Sequence, residues 1–220
     1  MTRLRWRGAS GKGSAVVLGL LALLVLAGCR TAVPAPADPA TSTSSSAGST
    51  VKTSAFSTLD AAGVESIRNT KTARLDMSSG RLEKNAVRVT QDSYGPEVNT
   101  RGSGKINLSI LAPNGEITAA TDRIRFNTTD TRTDFSEVTY FLTANSPEEF
   151  FELIRDGVQR YGISAESAEE WIDSTKADPT SKSDFSITPG TGTGLTVNYD
   201  LRFDGSKDTQ VIIVHVLPAA

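Results

Sequence analysis

The chain contains one histidine, His215, whose imidazole is the side chain best suited to acid–base chemistry near neutral pH. It lies in the apolar segment 210–216, in step with Val211 and Ile213. A catalytic histidine needs a nucleophile and an orienting acid, and no motif near His215 supplies them. We therefore interpret His215 as a structural residue of a strand. A single histidine also excludes a multi-histidine metal site.

Six glutamates offer carboxylates of the kind that general acid–base catalysis uses: Glu148, Glu149, Glu152, Glu166, Glu169 and Glu170. They fall at the starts of predicted helices, where acidic side chains stabilise the helix dipole. General acid–base catalysis instead requires a buried or coupled pair of carboxylates in a cleft. We therefore interpret these glutamates as parts of solvated helix faces.

Two loops resemble ligand-binding loops only in part. The segment 190–194 (GTGTG) precedes a strand and no lysine follows it, whereas a phosphate-binding loop precedes a helix. Asp204, Ser206 and Asp208 alternate as calcium ligands do, but their loop lacks the distal bidentate glutamate. We predict a flexible loop and a polar hairpin turn, respectively. Trp171 lies on an amphipathic helix, which favours a core role over ligand stacking.

These interpretations leave no predicted catalytic, cofactor-binding or metal-binding residue. The serines lie in no Gly-x-Ser-x-Gly setting, the environment of a hydrolase nucleophile. The single cysteine, Cys29, excludes an intramolecular disulfide and a metal site of several thiolates.

Cys29 follows a segment with the order of a secretory signal. Residues 1–12 contain four basic residues and no acidic one, and residues 15–28 are apolar or small. This apolar run is shorter than the roughly 20 residues that span a bilayer. A basic start, a short apolar run and small residues before the cleavage point predict a signal peptide over residues 1–28.

The motif Leu26-Ala27-Gly28-Cys29 resembles a lipobox, the cleavage motif of bacterial lipoproteins. The resemblance implies diacylglyceryl transfer to the Cys29 sulfur, cleavage before Cys29 and acylation of the new amino terminus, with fatty chains such as palmitate. Two or three acyl chains hold a protein firmly at a membrane, whereas one holds it weakly. We therefore expect a lipid-anchored protein on the extracytoplasmic face of the cell membrane, with the membrane as its first partner.

Residues 29–54 predict a disordered tether behind the acylated cysteine. They are rich in Pro, Ala, Ser and Thr and lack apolar periodicity, so they cannot bury enough surface to fold. A coil of this length spans roughly 25–30 Å, and its composition resembles the tethers of actinobacterial lipoproteins. Without residues 1–28 the chain keeps 19 basic and 25 acidic residues, a net charge of −6, which argues against nucleic acid as a partner.

Residues 55–220 predict a single α+β domain. One helix is expected over 58–69 with Ser57 as its cap. Ser146 and Pro147 predict the start of a second helix, with Glu149 completing a capping box, and Gly162 predicts its end. A third helix is expected from Ser164 to residue 176.

Alternating apolar and polar residues predict the strands. The expected strands are 72–77, a segment around Val87 and Val89, 106–110, 117–119, 124–126, 138–142, 195–203 and 210–216. Asn114-Gly115 between two alternating runs predicts a hairpin. Because 210–216 is apolar at nearly every position, we expect a central strand covered on both faces. The predicted fold is α+β, an antiparallel β-sheet with helices packed on one face.

Three functions are compatible with these features. The first is a non-enzymatic envelope module that binds a protein, a peptide or an envelope component. The second is a lipid or glycolipid carrier, because the layout of 60–77 followed by alternating strands resembles LprG/LppX-type mycobacterial lipoproteins. That resemblance implies a curved antiparallel sheet whose helices enclose an acyl-chain cavity; the cone of the nuclear-transport-factor-like fold has a comparable layout. The third is an enzyme that acts on cell-wall glycans through paired carboxylates.

Overall fold

Alternating apolar and polar residues along the carboxyl-terminal strands give the largest layer of the protein one buried face. The structure, a computed structural model, describes residues 56–129 and 131–218. The α-helices of these residues are α1 (Ala61–Thr70), α2 (Pro147–Tyr161) and α3 (Ala165–Ala177). Their strands are β1 (Thr72–Asp76), β2 (Leu82–Glu83), β3 (Glu97–Asn99), β4 (Ile106–Ala112), β5 (Gly115–Thr121), β6 (Arg123–Asn127), β7 (Asp134–Phe135), β8 (Glu137–Ala144), β9 (Lys182–Gly190), β10 (Thr196–Asp204) and β11 (Gln210–Leu217).

Six strands form an antiparallel sheet in the order β3-β6-β8-β11-β10-β9. The register places Val214 of β11 between Tyr140 of β8 and Tyr199 of β10, and all three side chains are buried. Helix α2 contacts β8 and β11 and helix α3 contacts β9, so both helices pack against this sheet. The predicted α+β class and the predominantly antiparallel pairing are confirmed.

Aromatic side chains fill the space between these helices and the sheet. The ring centroid of Trp171 in α3 lies 5.8 Å from those of Phe150 in α2 and Phe203 in β10. The indole Nε1 of Trp171 donates a hydrogen bond to Ser183 Oγ at 3.1 Å, which satisfies its polar end. Trp171 is therefore a core residue, as predicted.

A smaller sheet has the order β1-β4-β5. Strands β4 and β5 form the hairpin predicted at Asn114-Gly115. Strand β1 runs parallel to β4, which departs from the prediction of a purely antiparallel sheet. The segment 77–105 between them is long enough for the crossover connection that a parallel pair requires. Strands β2 and β7 form a separate two-stranded sheet.

A bend at Thr121 joins the two larger sheets. Strand β5 pairs with β4 and strand β6 pairs with β8, and Asp122 separates them. The Thr121 side chain is fully buried, and its hydroxyl lies 2.9 Å from the carbonyl oxygens of Arg123 and Phe141. It also accepts a hydrogen bond from the Phe141 N–H at 3.2 Å. The side chain thereby replaces backbone hydrogen bonds at the corner between β5 and β8.

The ends of α2 follow the sequence signals. Ser146 caps the helix by accepting a hydrogen bond from the Glu149 N–H at 3.1 Å, and Gly162 ends it at φ +73°. The Glu149 carboxylate accepts from the N–H of Asn145 at 2.7 Å, whereas the predicted capping box would use the N–H of Ser146. Helix α3 begins after the cap at Ser164, as expected.

The strand predicted around Val87 and Val89 is wrong, because a short 3-10 helix, Asn85–Val87, occupies this position. Val87 is buried and Val89 packs partly against the core. Their spacing results from a turn that Arg88 closes at φ +61°, not from a strand.

Helix α1 begins at Ala61, later than predicted. Asp60 caps it, since its Oδ1 accepts from the Gly63 N–H at 2.8 Å. Ser57, the predicted cap, instead bonds with the backbone of Arg74 in β1, through its N–H at 2.7 Å and its Oγ at 3.0 Å.

Strand β11 is central, as predicted, but it is not covered equally on both faces. One face is fully buried against the core. The other carries the half-buried side chains Val211, Ile213, His215 and Leu217. We call this second face of the six-stranded sheet the open face.

The predicted signal peptide 1–28, Cys29 and the tether lie outside the described residues. Their assignments therefore stay predictions. Within residues 56–129 and 131–218, no helix is both long enough and apolar enough to cross a bilayer.

We predict that Gly157→Ala destabilises the protein although alanine is the better helix former by about 1 kcal/mol. A Cβ on Gly157 in α2 would lie 2.7 Å and 2.8 Å from two ring carbons of buried Tyr199. Overpacking of this kind lowers the free energy of unfolding by about 1–3 kcal/mol. Urea denaturation measures the change, and Gln159→Ala on the exposed face of α2 serves as control. Equal or higher stability of Gly157→Ala would contradict the described packing.

Candidate functional site

His215 lies on the open face, between acidic residues of the two neighbouring strands. Its Nδ1 is 2.7 Å from Glu137 Oε1 of β8, and its Nε2 is 3.4 Å from Asp200 Oδ2 of β10. The Glu137 carboxylate also accepts from the amide of Asn127 at 3.0 Å and from the hydroxyl of Thr139. Four adjacent strands, β6, β8, β11 and β10, therefore contribute to one polar network.

The protonation states of this network follow from its contacts. The hydrogen bond with Glu137 raises the pKa of His215 above its ordinary value, and the nearby charge of Asp200 acts in the same direction. The same hydrogen bond lowers the pKa of Glu137 below its ordinary value, against the effect of burial. The pair is therefore stabilised as an imidazolium and a carboxylate.

This arrangement does not assemble a nucleophile. The hydroxyl of Thr139 donates to Glu137 and the hydroxyl of Ser186 donates to Asp200, so both are bound to the acids and not to the imidazole. Acyl transfer by a histidine base requires a hydroxyl or thiol within hydrogen-bond reach of the ring. The contacts support the structural interpretation of His215 as a residue that holds three strands together.

The other candidate residues are dispersed. The segment 190–194 is the turn between β9 and β10, where the Gly192 N–H donates to the Tyr161 carbonyl at 3.1 Å. It is thus a turn between two strands that leads into no helix, and its backbone is hydrogen-bonded to the end of α2. Asp204 accepts from the N–H of Ser206 at 3.1 Å and closes the predicted polar turn. Five of the six glutamates are exposed, and Glu169 binds Arg155 at 2.8 Å, which fits the solvated faces expected.

A pocket that the sequence did not reveal lies between α2, β5 and β8 and encloses about 190 Å³. We call it the tyrosine pocket, because Tyr140 of β8, Tyr161 of α2 and Tyr199 of β10 contribute to its lining. Tyr140 and Tyr199 point to the helix-covered side of the sheet, so the pocket and His215 lie on opposite faces. Ring centroids of Tyr161 and Tyr199 are 6.3 Å apart.

The Tyr140 hydroxyl is the most unusual group in this pocket. The side chain is fully buried, and the hydroxyl has no hydrogen-bond partner among the described residues. The nearby Tyr161 hydroxyl donates its own proton to the Thr118 carbonyl at 3.2 Å, so its oxygen is the acceptor closest to the Tyr140 hydroxyl, although the two do not reach regular hydrogen-bond geometry. A buried polar group without a partner is costly, which suggests that it has a use.

Burial keeps the phenols of the pocket protonated. It raises the pKa of Tyr140 and of Tyr199 well above the ordinary value and raises that of Tyr161 as well. Tyr161, Tyr199 and Arg160, the groups that act on Tyr140 electrostatically, all line the same pocket. The phenol end of Tyr140 therefore lies near these groups, is neutral, and is itself closed to solvent.

Charged side chains of both signs surround the pocket. They are two basic and two acidic residues: Lys105, Arg160, Glu149 and Asp156. Arg160 Nη1 lies 3.0 Å from Asp156 Oδ2, and Arg160 Nη2 donates to the carbonyl and the hydroxyl of Thr118 at 3.0 Å and 2.6 Å. The guanidinium carbon lies 4.9 Å from the centroid of the Tyr161 ring. Arg160 is thus held in place, and its charge is offset by Asp156.

Comparisons of the chain with protein-family models, with curated proteins and with solved structures return no match. Among residues 56–129 and 131–218, no three His, Cys, Asp or Glu side chains are grouped so that they could hold a metal ion. The chemistry of the site therefore has to be inferred from the pocket and its contacts.

The sequence signals hid the tyrosine pocket because its tyrosines obey the same periodicity as core residues. Tyr140 and Tyr199 alternate with polar residues in strands, and Tyr161 belongs to the apolar stripe of α2. The one available sign was that three tyrosines occupy core-facing positions. Buried tyrosine hydroxyls usually need hydrogen-bond partners, so three of them together could have indicated a polar cavity.

We predict that the contribution of the His215–Glu137 pair to stability depends on pH in a defined direction. The raised pKa of His215 stabilises the fold fully below the ordinary histidine pKa of about 6.5, and this is lost as the pH rises through the raised value. The lowered pKa of Glu137 stabilises the fold above about 4.5, and this is lost as the pH falls through the lowered value.

The difference in unfolding free energy between wild type and His215→Gln should therefore be largest between pH 4.5 and 6.5, at about 1–3 kcal/mol, and should shrink at higher pH. Denaturant titrations across the pH range measure it. Asp208→Asn, an exposed change in the adjacent turn, is the control. A difference that does not vary with pH would contradict the ion pair.

Proposed function

We propose that this chain is an exported lipoprotein of the cell envelope whose α+β domain binds an extracytoplasmic ligand without catalysing a reaction. The motif Leu26-Ala27-Gly28-Cys29 behind a short apolar run supports cleavage before Cys29 and lipid attachment to its sulfur. The tether 29–54 would then display the domain beside the membrane.

The observation that carries the binding role is the tyrosine pocket itself, a cavity of about 190 Å³ between α2, β5 and β8 that opens to the surface beside charged side chains. The phenols stay protonated at neutral pH and His215 lies on the other face of the sheet, so the pocket is equipped to hold a ligand. These features favour binding over acid–base chemistry.

The size and lining of the pocket favour a small polar ligand over the acyl chain of a lipid carrier. Sites for drug-sized ligands enclose about 300–1,000 Å³, whereas this pocket encloses about 190 Å³ and four charged residues contribute to its lining. Aromatic side chains occupy the space between α2, α3 and the sheet, where a carrier would hold hydrocarbon. We therefore expect native mass spectrometry of the protein without residues 1–28 and with Cys29→Ser to show no copurified lipid. A lipid bound in stoichiometric amount would favour the lipid carrier over the binding module.

The anchor is tested by Cys29→Ser in cells that are fed a fatty acid with an alkyne tag. Loss of the thiol should abolish labelling, and the protein should either be released from the membrane or keep residues 1–28 uncleaved, since no acyl chain is then attached. The matched control is Cys29→Ser combined with Ser45→Cys, which restores a thiol outside the lipobox and should remain unlabelled. Labelling of either variant at the wild-type level would contradict the lipobox assignment.

A further inference from the structure

We propose that the domain docks on anionic lipid headgroups of the membrane that anchors it, through a surface beside α1 that places Phe56 and Tyr94 among the headgroups and turns α3 away. This inference rests on the lipid anchor at Cys29 proposed above and adds a direct contact between the domain and the bilayer. Three observations carry it: two exposed aromatic side chains, the point where the tether joins the domain, and an uneven distribution of charge.

The surface consists of two adjoining open depressions that share Arg88. Phe56 lines the first and Tyr94 lines the second, and these residues are 41% and 73% exposed. The N–H of Leu59 donates to the carbonyl of Val87 at 2.7 Å, which holds the chain around Phe56 against the segment that leads to Tyr94. We call the region around Phe56, Arg88 and Tyr94 the α1 surface, because α1 also lines its first depression.

The aromatic side chains of the α1 surface suit a membrane interface. Four large apolar side chains are exposed among residues 56–129 and 131–218, and two of them, Phe56 and Tyr94, belong to this surface. Tyrosine concentrates where bilayer meets water, because its ring is apolar and its hydroxyl reaches water. The guanidinium carbon of Arg74 lies 5.6 Å from the centroid of the Phe56 ring, so a cation that can bind lipid phosphate accompanies this ring.

The predicted tether joins the domain at the α1 surface. Phe56 closely follows the tether 29–54, so the chain from Cys29 enters the domain here. A coil of this length spans roughly 25–30 Å, whereas a domain of this size is roughly 40 Å across. The lipid on Cys29 therefore keeps the α1 surface closer to the bilayer than the far side of the domain, at a high effective concentration of headgroups.

The charges of the domain are distributed unevenly. The two depressions are lined by Arg74, Arg88 and one acidic residue, Asp60, whose Oδ2 lies 3.7 Å from Arg88 Nη1. Residues 56–96, which include the α1 surface, contain six basic and five acidic residues, whereas residues 165–178, which form α3 and its cap, contain one basic and five acidic residues. An anionic bilayer therefore repels α3 and attracts the arginines of the α1 surface.

The α1 surface and α3 lie at opposite edges of the six-stranded sheet. Helix α1 contacts β3, the first strand in the sheet order, and helix α3 contacts β9, the last. Five spacings of about 4.8 Å between neighbouring strands separate these edges by roughly 24 Å. This distance exceeds two Debye lengths at about 0.1 M salt, so the bilayer can contact the α1 surface while α3 stays outside its field.

The test uses the processed protein, with its lipid verified by intact mass, in nanodiscs of phosphatidylcholine alone or mixed with phosphatidylglycerol. Lipids brominated on their acyl chains quench the fluorescence of a tryptophan that reaches the headgroup region. Tyr94→Trp places the probe on the α1 surface, and Ser174→Trp places a matched probe at an exposed position of α3. The unchanged protein gives the background signal of the buried Trp171.

We expect quenching of Tyr94→Trp to be about 2-fold or more stronger in the mixed nanodiscs than in phosphatidylcholine, and Ser174→Trp to stay unquenched. The difference should disappear in about 1 M salt, where charges are screened over about 3 Å. Adding Arg88→Gln should reduce the quenching about 2-fold or more, since it removes a cation from the α1 surface. Lys182→Gln removes an exposed cation from β9 at the opposite edge and should have no effect.

Equal quenching of the two probes, or equal quenching of Tyr94→Trp in both kinds of nanodisc, would overturn the inference. A blue shift of the Tyr94→Trp emission without quenching would also overturn it, because the tether or a second copy of the protein would then cover the α1 surface. If a lipidated protein shows no quenching at either probe, the inference fails while the proposed anchor stands. A protein that carries no lipid contradicts both.

Discussion

The fold depends on a constraint of its largest sheet: the apolar side chains of six strands must be covered on one face, while the other face stays in contact with water. Alternation along β10 and β11 sends Tyr199, Leu201, Val214 and Val216 to the helix side. Helices α2 and α3 cover them with an aromatic cluster built around Trp171. Polar and charged residues alternate with this set, so they collect on the open face by the same geometry.

This one-sided packing places the two polar regions of the domain, the His215 network and the tyrosine pocket, on opposite faces of the sheet. On the open face, Glu137, His215 and Asp200 neutralise one another across three strands while they remain partly solvated. On the covered face, the helix layer ends where α2 meets the edge of β5. There the buried side chains of Tyr140 and Tyr161 lie beneath a pocket lined by both aliphatic and charged residues. Each arrangement contains one buried polar atom without a regular hydrogen bond, the His215 Nε2 in the first and the Tyr140 hydroxyl in the second.

Local signals explain what the sequence could predict. The α+β class, the hairpin at Asn114-Gly115, both ends of α2 and the start of α3 followed from periodicity and capping residues. Strand β9 escaped prediction because it is an edge strand with few buried residues, so it shows no alternation. The parallel pairing of β1 with β4 escaped because it depends on long-range packing and not on local pattern.

The His215 network and the tyrosine pocket could not be predicted from local sequence patterns, because each is formed by residues that are distant in sequence. His215 and Glu137 are 78 residues apart in sequence, and register alone brings them within 2.7 Å. The sequence could identify the histidine and the absence of a motif around it, but not its acidic neighbours. The sequence pattern identified the tyrosines as core residues. Only their meeting at the tyrosine pocket distinguishes them from other buried aromatic residues.

The corner at Thr121 determines how the small sheet is joined to the six-stranded sheet. Strand β5 forms one wall of the tyrosine pocket, and at this corner it is attached to β8 through one buried hydroxyl instead of a continuous backbone ladder. The hydrogen bonds of this corner therefore depend on one methyl-bearing alcohol, which serves both the N–H and the carbonyl of Phe141.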